Sequence, residues 1–208
     1  MMKRLLLLLV VSLFFIGIKA QEARFGLSAG MNISSPSDLN SKTGFHAGVK
    51  GEYSFSDNLY VGSGLMLTSK GWKSDTYYDA STKQSTTWKA TPYYIEMPIH
   101  LGYKTAVGEN IKLFGEAGPY FDLGVFGKSS YTVEKDNKMT TNKTNNLFKD
   151  NQQERFDCGL GASIGVEFYQ HYQLSLGYDW GLKKIYKKNA SNLDSKNRVF
   201  EVSLAYMF

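Results

Sequence analysis

Three histidines, His46, His100 and His171, and one cysteine, Cys158, are the chain's whole supply of imidazole and thiol. An imidazole four residues from a carboxylate, as in Glu96 and His100, suggests general acid–base chemistry if the two groups can meet. The stretch that carries them, "YYIEMPIHLGYK" (93–104), alternates apolar and polar positions as an extended strand does. On such a strand four residues separate two side chains by about 13 Å, beyond hydrogen-bond reach, so any partner must come from a neighbouring strand. His46 has no Ser- or Asp-bearing motif attached by spacing, and His171 falls in a short turn. The chain has no G-x-S-x-G, no paired metal-ligand His motif and no phosphate loop. "GLGASIG" (159–165) lacks a following helix and reads as close packing on a narrow face. A lone cysteine excludes an internal disulfide and a Cys-based metal site. No catalytic, cofactor-binding or metal role is assigned, so the polar residues must be explained by the elements that hold them.

Those elements are runs of period two. Besides 93–104 they are "ARFGLSAGMNI" (23–33), "GFHAGVKGEYSF" (44–55), "LYVGSGLMLTSK" (59–70), "IKLFGEAGPYFDLGVF" (111–126), "RFDCGLGASIGVEFY" (155–169), "QLSLGYDWGLKK" (173–184) and "RVFEVSLAYMF" (198–208). Each places large apolar residues on one side and small or charged ones on the other. The links after the second, fourth and sixth runs are short: "SDN", "TAVGEN" and "YQHY". Those after the third, fifth and seventh are long and polar, at 71–90, 127–154 and 184–197, and link one (34–42) is intermediate. Short turns on one rim and long loops on the other are the pattern of an outer-membrane barrel, whereas a soluble sandwich has no reason to alternate loop length.

Aromatic positions test this independently. With both termini in the periplasm, Phe25, Tyr53, Phe55, Tyr103, Phe168, Tyr206 and Phe208 gather at the periplasmic ends of the apolar faces, and Phe45, Tyr93, Phe121, Phe156, Trp180 and Phe200 at the outer ends. Tyr93 to Tyr103 covers roughly 25 Å of height on a strand tilted by about 40°, the height of a membrane barrel's apolar band. The fold predicted is all-β: an eight-stranded antiparallel up-and-down transmembrane β-barrel.

The first twenty residues, "MMKRLLLLLVVSLFFIGIKA", join a basic start to a short apolar run and a small residue, as a cleaved export signal does. The run is shorter than the ~20 residues of a membrane-spanning helix. This divides the chain into a signal peptide (1–20) and a barrel domain (21–208). Without Lys3, Arg4 and Lys19 the basic residues fall from 24 to 21 against 19 acids, so charge gives no support for nucleic-acid binding.

"YYIEMPIHLGYK", "FGEAGPYF", "FDCGLGASIGVEF", "LGYDWGLKKI" and the ending "RVFEVSLAYMF" together resemble the PorT-like outer-membrane β-barrel family, over essentially the whole mature chain. The resemblance implies an eight-stranded barrel in the outer membrane of a Gram-negative bacterium. It implies too that the final alternation, with Tyr206 and Phe208, is the signal read by the barrel assembly machinery. The founding member is linked to protein secretion, and fold follows from the resemblance more firmly than activity.

An eight-stranded barrel is just wide enough for its side chains to fill. Its lumen here would hold Lys50, Glu52, Lys70, Glu96, His100, Lys104, Lys112, Glu116, Asp122, Asp157, Glu167, Asp179, Lys183 and Glu201, both signs mixed, favouring cross-strand ion pairs that close the interior. Pro98 removes a ladder donor and predicts a local bulge. The long loops offer Tyr77, Tyr78, Trp88 and Tyr131 as contact residues, toward lipopolysaccharide or a protein partner. The reading is a monomer with a structural or loop-mediated role, without cofactor or nucleic acid. Two alternatives make opposite demands: a small lipid-modifying enzyme needs Ser, His and an acid meeting on the lipid face near the outer rim, and a periplasmic lipocalin-like barrel needs an apolar interior.

Overall fold

The computed structural model describes residues 23–135, 138–145, 147–148, 153–186 and 194–208; the proposed signal peptide lies outside them. Eleven strands follow in order: β1 (Ala23–Ser34), β2 (Asn40–Ser54), β3 (Leu59–Ser69), β4 (Trp72–Lys73), β5 (Tyr77–Asp79), β6 (Gln84–Gly108), β7 (Ile111–Lys135), β8 (Lys138–Thr144), β9 (Phe156–Phe168), β10 (Tyr172–Lys184) and β11 (Lys196–Met207). Eight of them, β1, β2, β3, β6, β7, β9, β10 and β11, pair antiparallel in that order around a ring. The ring closes where β1 meets β11, with Leu27 opposite Tyr206, and the Phe208 amide donates to the Phe25 carbonyl at 2.7 Å. Closure leaves the eight-stranded ring without an edge, which a sheet surrounded by hydrocarbon requires.

The barrel is apolar outside and polar inside. Leu27, Val49, Leu65, Leu101, Leu113, Ile164, Leu174 and Leu204 are exposed on the outer face, whereas Lys70, Asp122, Glu167, Gln173 and Asn197 are buried. So continuous an apolar belt does not persist in water and marks a lipid-facing surface. This contradicts the lipocalin-like alternative, which needs the reverse. Glycine makes room for large inward rings: a Cβ on Gly102 would sit 2.2 Å from the Tyr60 ring, and one on Gly161 2.9 Å from His100 Nε2.

The two rims differ as the link lengths require. At the terminal rim, Tyr169 and Gln170 both take left-handed φ (51° and 62°) in the tight turn from β9 to β10, the backbone that matches hairpin twist. His171 then donates from Nδ1 to the Met207 carbonyl at 2.7 Å. At the loop rim, the stretches read as loops at 71–90 and 127–154 hold much strand: β6 and β7 are 25 residues each, and β4, β5 and β8 add hairpins to them. About 9–11 residues cross a membrane, so these walls continue well past it. Beyond the lipid, water lies on both faces, so Thr, Ser, Tyr and Val keep the strand conformation without an apolar alternation to reveal it.

Pro98 produces no bulge. The β6 pairing interrupts beside it and resumes in the same register on both sides, with the Ser63 hydroxyl donating to the Pro98 carbonyl at 2.8 Å. The register slips instead where Tyr93 faces Phe126 and Tyr94 faces Gly124, leaving Val125 as the extra residue. Val125 and Phe126 therefore both point outward, and Phe126 stacks on Tyr93 at 4.6 Å while Phe45 flanks Tyr93 at 6.1 Å.

Candidate functional site: a two-part charged lumen and an aromatic loop rim

In the terminal half of the lumen, three cations face three carboxylates. Lys104 Nζ lies 2.8 Å from Glu52 and 2.7 Å from Glu167, Arg24 lies 3.0 Å from Glu167, and Lys50 lies 3.4 Å from Glu116. Gln173 stitches the group by donating to Glu52 and Glu167 at 2.8 Å each, and the Tyr60 hydroxyl donates to Glu116 at 2.8 Å. The ammoniums of Lys50 and Lys104 also sit 5.3 and 5.6 Å from the centre of the Phe114 ring. Arg24 and Gln173 are members the sequence reading missed; their inward position on alternating strands was the available signal.

The loop half is built differently. Lys70, fully buried, reaches Glu96 at 2.6 Å, Asp122 at 2.7 Å and Asp179 at 3.6 Å, and lies over the Tyr120 ring. Asp157 is held instead by neutral donors, the Asn197 amide at 2.7 Å and the Cys158 backbone at 2.8 Å. Phe148 is buried and packs edge-on against Tyr94 at 5.7 Å. Of the predicted lumen residues, Lys183 lies toward the loop rim, 3.5 Å from Glu154.

Between the two groups lies a cavity of about 80 Å³ that touches His46, His100, Glu116, Glu201 and Ser203. Glu96 and His100 do not pair with each other: His100 Nδ1 lies 3.8 Å from Glu116 on β7. His46 meets two β11 residues that its sequence position does not suggest, Ser203 with Oγ 2.9 Å from Nε2 and Glu201 with Oε1 3.9 Å from Nδ1. This Ser, His and acid grouping faces the lumen, not the lipid. Its imidazole–carboxylate separation exceeds a hydrogen bond, and the cavity is far below the ~300 Å³ of a small substrate pocket. Glu96, Asp179 and Glu201 place oxygens within 4.8 Å of one another, a spacing that suits a hard cation. The Lys70 ammonium already fills that electrostatic role for two of the three.

The predicted loop contacts divide. Trp88 and Tyr131 are direct cross-strand neighbours on β6 and β7, and both are exposed. Tyr77 and Tyr78 stand on β5 opposite Thr86 and Ser85, exposed on the hairpin that β5 forms with the loop-rim end of β6. Near its tip the Asp79 carboxylate is held down to about 2 by the hydroxyls of Ser81 and Thr82 and the Ser81 amide. At the other rim, Tyr206 stacks on His171 at 5.6 Å and meets Phe208 edge-on at 5.7 Å.

A closed antiparallel ring of eight strands with an apolar belt outside and ion pairs within defines a membrane β-barrel protein. The chain belongs to the outer membrane protein beta-barrel domain family, which matches residues 16–187. Solved structures similar to it include Neisserial surface protein A (17% identity, 89% of this chain and 95% of that one, TM-score 0.47). Others are the outer membrane protein OprG from Pseudomonas aeruginosa (12%, 90% and 96%, 0.43) and Ail, the attachment invasion locus protein of Yersinia pestis (14%, 90% and 99%, 0.38). No curated protein matches the sequence.

Proposed function

We propose that this chain is a closed, non-enzymatic outer-membrane scaffold that works through its loop rim. The observation that carries the reading is the contrast along one pair of strands. Within the belt, β6 and β7 contribute Glu96, Lys104, Glu116 and Asp122 to a lumen packed with ion pairs, and beyond it they display Trp88 and Tyr131. In this reading both termini are periplasmic and the loop rim faces outward, toward lipopolysaccharide or a protein partner. The barrel is a monomer, and Tyr206 and Phe208 present the assembly signal. The motifs shared with PorT-like members support placing it among them, with the loop rim serving protein secretion.

The test pairs topology with conductance. A cysteine at Ser81 in a Cys158→Ser background is expected to react with a membrane-impermeant maleimide on intact cells, and the refolded barrel to give no conductance steps in planar bilayers. Labelling only after permeabilisation, or stable open channels, contradicts the reading.

A further inference from the structure

The loop rim holds a second cavity, of about 310 Å³, that the lumen network does not use. The rings of Trp72, Trp88, Tyr131 and Tyr186 line it, with Trp72 and Tyr186 meeting edge-on at 6.0 Å. Gln153 lies in its wall, held by a backbone bridge to Tyr186, and is 1% exposed. Neither its Oε1 nor its Nε2 has a hydrogen-bond partner among the described residues, and the buried Trp72 Nε1 has none either. A buried primary amide without partners is rare in folded proteins, because its desolvation goes uncompensated. Here it faces a cleft large enough to admit a ligand that would satisfy it.

The chemistry demanded is narrow. The ligand must both donate to the amide oxygen and accept from the amide nitrogen and the indole N–H, while giving flat C–H or π faces to four rings. An apolar ligand leaves Gln153 unsatisfied. A sugar ring meets both demands, since each hydroxyl donates and accepts and the ring carries an apolar face. Lys89 and Lys143 also line the cleft, and no carboxylate stands among its described lining residues, so charge selects an anionic ligand. We infer that this cleft binds an acidic saccharide, one bearing carboxylate, phosphate or sulfate groups. This rests on the loop rim being the working surface and names what that surface recognises.

Two of the chain's three tryptophans line the cleft, whereas Trp180 lies on the outer, lipid-facing side. The refolded mature chain with Trp180→Phe therefore reports the cleft through its own emission; the native chain serves if that variant does not refold. It would be titrated with trigalacturonate, with delipidated lipopolysaccharide core oligosaccharide, with maltotriose and with a short oligothymidylate. Saturable change with trigalacturonate or the core oligosaccharide supports the inference, and which of them binds identifies a soluble or a membrane-borne source. Maltotriose is expected to bind at least about tenfold more weakly, and Gln153→Leu to weaken the acidic sugar by about tenfold or more. Lys143→Gln should narrow the gap between acidic and neutral sugars. No saturable response to either acidic sugar, a response unchanged in Gln153→Leu, or preference for the oligothymidylate overturns it. Surface labelling at residue 81 and the absence of conductance are read separately, so a silent cleft on an outward-facing, closed barrel sinks the saccharide and leaves the scaffold reading standing.

Discussion

The two halves of the lumen solve one problem in different ways. In the terminal half, Arg24, Lys50 and Lys104 balance Glu52, Glu116 and Glu167, and several groups have more than one partner. In the loop half, Lys70 is the one cation among the described residues within ion-pair distance of Glu96, Asp122 and Asp179, while Asp157 depends on an asparagine and a backbone amide. The first arrangement is redundant and the second is keyed to one ammonium. Burying charge is costly unless each member is paired, so loss of one residue should be shared out in the terminal half and concentrated in the loop half.

The largest effect should therefore come from Lys70→Met. It strands buried carboxylates and is expected to lower unfolding stability by about 3–5 kcal/mol, measured by urea titration of the refolded barrel. Adding Asp122→Asn to that variant should recover about 1–3 kcal/mol, because it removes one stranded charge. Lys104→Met should cost less, about 1–3 kcal/mol, since Arg24 and Gln173 still serve Glu167 and Glu52. Equal losses at Lys70 and Lys104 would break the distinction between the halves.

The smallest effect lies in the solvent beyond both halves. The Asp79 carboxylate, at the tip of a loop-rim hairpin, is held at about 2 by hydrogen bonds from Ser81 and Thr82. Its folded value is depressed, so the local order it gives is complete above the ordinary carboxylate range and is lost as pH falls through about 2. Amide shifts of Ser81 in a pH titration should show this step, and Asp79→Asn should remove it while leaving global stability unchanged.

Much of the barrel was legible because hydrocarbon on one side and packed charge on the other impose a period of two on each ring strand. The girdle residues and the lumen faces follow from that period alone. The extra residue Val125 did not, since a bulge leaves no mark in composition, and neither did Phe126 joining Tyr93 on the outer face. The outward reach of β6 and β7 was hidden because strands wetted on both sides lose the apolar alternation. Lumen partners were hidden for a different reason: Lys70 and Asp122 are 52 residues apart, and His46 and Ser203 157 apart, so only the closed ring brings them together. Gln153 lies in an Asn- and Gln-rich stretch that composition reads as a solvated loop, yet it is buried.

Everything rests on which face meets lipid, and Trp180 reports that face directly. In a chain carrying Trp72→Phe and Trp88→Phe, Trp180 is the remaining tryptophan. Refolded into vesicles of lipid brominated along its acyl chains, its emission should be strongly quenched and nearly indifferent to iodide in the surrounding buffer. Emission indifferent to brominated lipid and quenched by iodide would put the apolar belt in water and contradict the inside-out barrel.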